Sequence, residues 1–167
     1  MKRKAINLVL LNLTIFFALI SIHEISHALI GSSVGCDYGR AVVFDTKTAS
    51  GITGMLFSEP YTEMLCSNGT SQSIAYMGSF LVTVSFGLVF LSLNSPGKNM
   101  FLVISGLSLV FSSLDISLAL SMESLLYPLT GSGFLLIILG EYLMASSYLK
   151  DDVPLDLFGM HEIDEKM

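Results

Sequence analysis

Residues 5–30 read AINLVLLNLTIFFALISIHEISHALI, and this stretch decides the class of the chain. No residue from Ala5 to Ile22 is charged, and the apolar character resumes at Ala28–Ile30 after the polar insert His23-Glu24-Ile25-Ser26-His27. A helix needs about 20 mostly apolar residues to cross a bilayer, so a first span over about residues 5–31 is expected. Lys2, Arg3 and Lys4 precede it, and Ser26-His27-Ala28 has the small-x-small form of a signal-peptide cleavage site. The apolar core is longer than such signals carry, so an uncleaved helix is the expectation.

Three further runs obey the same length rule. Ile74–Leu93 carries no charge, Asn99–Met122 is interrupted by Asp115 alone, and Gly133–Leu149 is interrupted by Glu141 alone. The expected fold is an all-α integral membrane protein of about four transmembrane helices (about 5–31, 74–93, 99–122 and 131–149). These form one transmembrane domain over residues 1–149, multi-pass in a lipid bilayer, with the cell membrane as the expected location. Pro60, Pro96, Pro128 and Pro154 fall between or after the runs, where helix breakers belong. Residues 150–167 form an acidic tail, with Asp151, Asp152, Asp156, Glu162, Asp164 and Glu165, and read as solvated.

Composition agrees. Apolar residues make up 52% of the chain and charged residues 13%, against about a quarter charged in an ordinary soluble domain; the mean hydropathy is +0.71. A net charge of −6 argues against a nucleic-acid partner, which needs a basic face. Two cysteines and three histidines leave room for one small metal site, and too few histidines for the ligand boxes of a multi-histidine iron oxygenase.

Four spans place both termini on one side. That side holds Lys2, Arg3, Lys4, Lys98, Lys150 and Lys166, and the other holds Arg40 and Lys47; basic residues favour the cytoplasm, so the 32–73 segment is expected outside. It carries Cys36, Cys66 and the sequon Asn68-Gly69-Thr70, which also reads as a plain turn. A disulfide is permitted there. Tyr38–Phe44 and Ile52–Phe57, rich in β-branched and aromatic residues around Ala49-Ser50-Gly51, predict a β-hairpin between the first two helices.

The chemistry lies in His23-Glu24-Ile25-Ser26-His27. Positions i and i+4 share a helix face, so two imidazoles can grip one Zn2+ while Glu24 is placed to take a proton from water. With three His and seven Glu in the chain, about 0.002 chance matches to this pattern are expected, so composition does not account for it. A zinc hydrolase needs a third protein ligand; His161 lies in the tail, which leaves Asp115, Glu123 and Glu141. Helix rise ranks them: Ile25 stands about 30 Å from Ala5, Asp115 about 25 Å and Glu123 about 38 Å from Lys98, and Glu141 about 14 Å from Lys150. Asp115 fits best in depth, with Glu141 as the second choice.

These residues resemble the site-2 protease family of intramembrane zinc metalloproteases. The resemblance is carried by His23-Glu24-Ile25-Ser26-His27-Ala28 in a hydrophobic helix, a hairpin-like segment after it, and Leu114-Asp115 two spans later, over roughly residues 5–122. It implies metal binding by His23, His27 and Asp115, Glu24 as the catalytic base, Zn2+ as cofactor and a membrane-spanning protein as substrate. Ala75-Tyr76-Met77-Gly78-Ser79 stands where the family has a small-residue segment. The Asn, Pro and Gly of the fuller second motif would fall at Leu107, Val110 and Ile116, and none is present. A catalytically inactive binding or regulatory membrane protein that keeps the metal motif is the alternative expectation.

Overall fold

The computed structural model describes residues 2–42, 61–93 and 95–150. The order is α1 (Lys2–Ser33), β1 (Asp37–Val42), β2 (Tyr61–Leu65), α2 (Gly69–Leu88), a 3-10 turn (Val89–Ser92), α3 (Ser95–Ala119), a second 3-10 turn (Glu123–Leu125) and α4 (Leu126–Lys150). Four helical stretches are long and apolar enough to cross a membrane: Ala5–Ser33, Gly69–Ser92, Gly97–Ala119 and Glu123–Ser147. Their outward faces stay apolar, with Leu10, Leu13, Leu135 and Ile138 exposed. A helix that is hydrophobic all round suits a lipid surround better than water.

The boundaries differ from the expected spans for local reasons. α2 begins at Gly69 rather than near 74, because the Asn68 side chain accepts a hydrogen bond from Ser71 N at 2.8 Å and caps the helix. The sequon asparagine therefore has a structural role. α3 ends at Ala119, short of Met122, in a Schellman motif: Met122 N donates to Ser117 O, Ser121 N donates to Leu118 O, and Ser121 adopts φ 54°. α1 ends the same way, with Cys36 N bonded to Gly31 O, Gly35 N to Ser32 O, and Gly35 at φ 82°. Pro96 and Pro128 lie within the first turns of α3 and α4, not between helices; that position wastes no backbone hydrogen bond.

α1 packs on α2, α2 on α3, and α3 most extensively on α4. The last contact is a backbone approach: a Cβ on Gly106 would stand 2.5 Å from Gly133 O, and one on Gly133 would stand 2.7 Å from Gly106 O. Small residues let apolar helices meet this closely. One half of the bundle holds an apolar cluster of Leu8, Ile15, Leu19, Met100, Val103, Ile104 and Met144.

β1 and β2 pair antiparallel, with Asp37 opposite Leu65 and Val42 opposite Tyr61, and a bulge between Tyr38 and Ala41. The first predicted strand thus overlaps β1, whereas its described partner is Tyr61–Leu65. The predicted second strand Ile52–Phe57 and the turn Ala49-Ser50-Gly51 lie outside the described residues, as does the acidic tail from residue 151. Cys36 and Cys66 form a disulfide, which staples the end of β2 to the end of α1.

Candidate metal centre

His23 and His27 sit one turn apart on the buried face of α1, 4% and 5% exposed. Asp115 reaches them from α3, which lies beside α1 because α2 packs against both. Asp115 Oδ2 is 2.9 Å from His23 Nε2 and 3.0 Å from His27 Nε2, and the two Nε2 atoms are 3.1 Å apart. The three atoms make a nearly equilateral triangle. Ligands about 2.0–2.1 Å from a tetrahedral cation stand about 3.3 Å from one another. The set could therefore hold one metal ion after shifts of a few tenths of an ångström. It leaves a fourth position free.

Polar side chains of α2 and α3 flank the two rings. Ser112 Oγ, one turn before Asp115, lies 3.5 Å from His23 Nδ1. Ser79 Oγ on α2 lies 3.2 Å from His27 Nε2 and donates to Tyr76 O at 2.8 Å. The Tyr76 ring stands edge-on to His27, with centroids 5.8 Å apart. His27 Nδ1 is buried without a hydrogen-bond partner among the described residues.

Glu24 is buried next to the histidines but is outside the ligand triangle. Its Oε2 accepts a hydrogen bond from Thr62 Oγ1 on β2 at 2.6 Å. A cavity of about 570 Å³ opens over the triangle, lined by Glu24, His23, His27 and Asp115 together with Tyr61, Thr62, Tyr76 and a set of apolar side chains. This size falls in the usual range for a ligand site.

The sequence-predicted residues thus divide. His23, His27, Asp115 and Glu24 come together. Glu141 does not: it lies on α4, outside the group that could hold a metal and outside the cavity lining. Glu123 is exposed in the turn between α3 and α4, and His161 lies outside the described residues. The sequence reading missed Thr62, Ser112 and the role of Tyr76. Ser112 had a weak signal in its spacing from Asp115, and Ser79 lay in the small-residue run already noted; Thr62 had none.

No family model matches the chain, and neither a curated protein nor a solved structure matches it.

Proposed function

We propose that this is a multi-pass membrane zinc metalloprotease that hydrolyses membrane-spanning protein substrates, similar to the site-2 proteases. One observation carries the reading: the cavity brings a His-His-Asp ligand triangle and a non-ligating buried carboxylate to the same place. A carrier site would need the ligands without the base. Zn2+ suits two imidazoles, one carboxylate and an open fourth position. When bound, it supplies Lewis-acid polarisation of a carbonyl and acidifies water.

The chain's own groups do the rest. His23, His27 and Asp115 hold the metal. Glu24 takes one proton from the attacking water and returns it to the departing amine nitrogen as the C–N bond breaks and the new C–O bond forms. Leu114 and Leu118, exposed on α3, also line the cavity, so an apolar segment can reach the site from the lipid. A helical peptide hides its carbonyls, and an unwound one can add to an edge of the β1–β2 pair. The Cys36–Cys66 disulfide suits an oxidising compartment. With the excess of basic residues at the termini, it supports a centre near the outer face of the membrane.

The test is cleavage of single-span peptides with a helix-breaking segment near their outer end. They are mixed in liposomes with the zinc-loaded chain, and products are read by mass spectrometry. Wild type should cut, while Glu24→Gln should lose about 100-fold or more of the rate with unchanged metal content. Metal-loaded wild type that cuts none of them, or Glu24→Gln that cuts at the wild-type rate, overturns the hydrolase reading and leaves the binding or regulatory one. Orientation is checked in intact cells. After reduction, a membrane-impermeant thiol reagent should label the cysteines, Cys66 before the buried Cys36, and labelling only after permeabilisation, with unfolded controls that label fully, reverses the orientation.

A further inference from the structure

We propose that Thr62 is a positioning residue for Glu24, so that strand β2 and the motif helix together aim the carboxylate at the metal site. The catalytic consequence rests on the hydrolase reading; the contact does not.

Thr62 Oγ1 lies 2.6 Å from Glu24 Oε2 and 3.1 Å from Glu24 O. A threonine hydroxyl has one proton to give, and the shorter contact, to the carboxylate oxygen, is the better hydrogen bond. Glu24 is 4% exposed, and among the described residues no other side chain donates to it. Arg40 on β1 is exposed and bonded to Glu63 and Tyr61 at 3.0 and 2.8 Å. Thr62 therefore both compensates the buried carboxylate and fixes its rotamer. Occupying Oε2 leaves Oε1 without a donor among the described residues, free to face the cavity.

The position of Thr62 is itself determined. β2 alternates, with Thr62 and Met64 half-buried toward α1 and Tyr61, Glu63 and Leu65 exposed. A register slip of one residue would present Tyr61 or Glu63 to Glu24 instead, and a second carboxylate there would repel the first. The ladder to β1 and the disulfide at Cys66 hold the strand against such a slip. A peptide that adds to this strand would thus bind to the same element that holds the base.

The experiment uses the full chain with its disulfide intact, reconstituted and zinc-loaded. Thr62→Val removes the hydroxyl at constant shape, Thr62→Ser keeps it, and Glu24→Ala removes the acceptor. Hydrogen exchange of the β2 amides is the readout independent of turnover. Thr62→Val and Glu24→Ala should each speed it about ten-fold, and the double variant should be no faster than either. On the peptide that wild type cuts, Thr62→Val should lower kcat roughly 10- to 100-fold at unchanged KM and metal content, with Thr62→Ser restoring most of it. Unchanged β2 exchange in Thr62→Val, additive effects in the double variant, or a serine variant as poor as valine each overturn the proposal. A wild type that binds zinc and cuts nothing defeats the hydrolase reading instead, while the exchange data still decide whether Thr62 and Glu24 are coupled.

Discussion

The two halves of α1 face different surroundings and teach different things. Leu8, Ile15 and Leu19 join Met100, Val103, Ile104 and Met144 in an apolar cluster, where almost any well-fitting hydrophobic set would serve. A few turns on, His23, Glu24 and His27 meet Asp115, Ser79, Ser112 and Thr62. There the atoms are specified by chemistry, and a change of type cannot be absorbed by repacking. Apolar packing in one half is one restraint on the relative placement of α1 and α3, beside α2, which packs on both. In the other half that placement brings together ligand atoms 88 and 92 residues apart in the chain.

The largest expected effect comes from breaking the polar half. His23→Ala, His27→Ala and Asp115→Ala should each remove the bound metal from purified protein, because two remaining ligands cannot hold it in a low-dielectric site. Glu141→Gln should retain it, since that carboxyl lies outside the ligand triangle. Metal analysis of the four variants is the check. Zinc lost from Glu141→Gln but kept by Asp115→Ala would reverse the ligand assignment and weaken the likeness to the site-2 proteases.

The same contrast explains what could be read in advance. The apolar runs revealed four helices, because length and charge content are local properties. The spacing of His23 and His27 revealed a shared face for the same reason. Asp115 required depth reasoning across two helices, and rise per residue was enough to rank it above Glu141. The helix ends were harder to read: Asn68 and Ser121 act through single hydrogen bonds and one backbone angle, which hydropathy does not register. Tyr61–Leu65 was not anticipated as a strand, because β-branched and aromatic content drew attention to Ile52–Phe57, which lies outside the described residues. Tyr61–Leu65 shows a period of two in its burial, yet its inward Thr62 is polar and its outward Tyr61 and Leu65 are apolar, so the sequence carries no apolar–polar alternation. Thr62 was invisible because its partner is 38 residues away and nothing local predicts the return of the chain to α1.

A smaller effect should sharpen the comparison from the apolar side. Ile104 is fully buried, packed where a Cβ on Gly87 would come within 2.9 Å of it. It stands about 16 Å of helix below Asp115. Ile104→Ala opens a cavity and removes packing contacts, at a cost of about 2–5 kcal/mol. Thermal unfolding in detergent, with the disulfide intact, should show a lower midpoint for this variant at unchanged metal stoichiometry. α2 still packs on both α1 and α3, and the disulfide holds β2 to α1 beside the site. Both restraints hold the polar half without help from Ile104. Ile104→Ala protein that is folded but metal-free would mean that the ligand triangle depends on packing about three turns away, and that the two halves act as one unit.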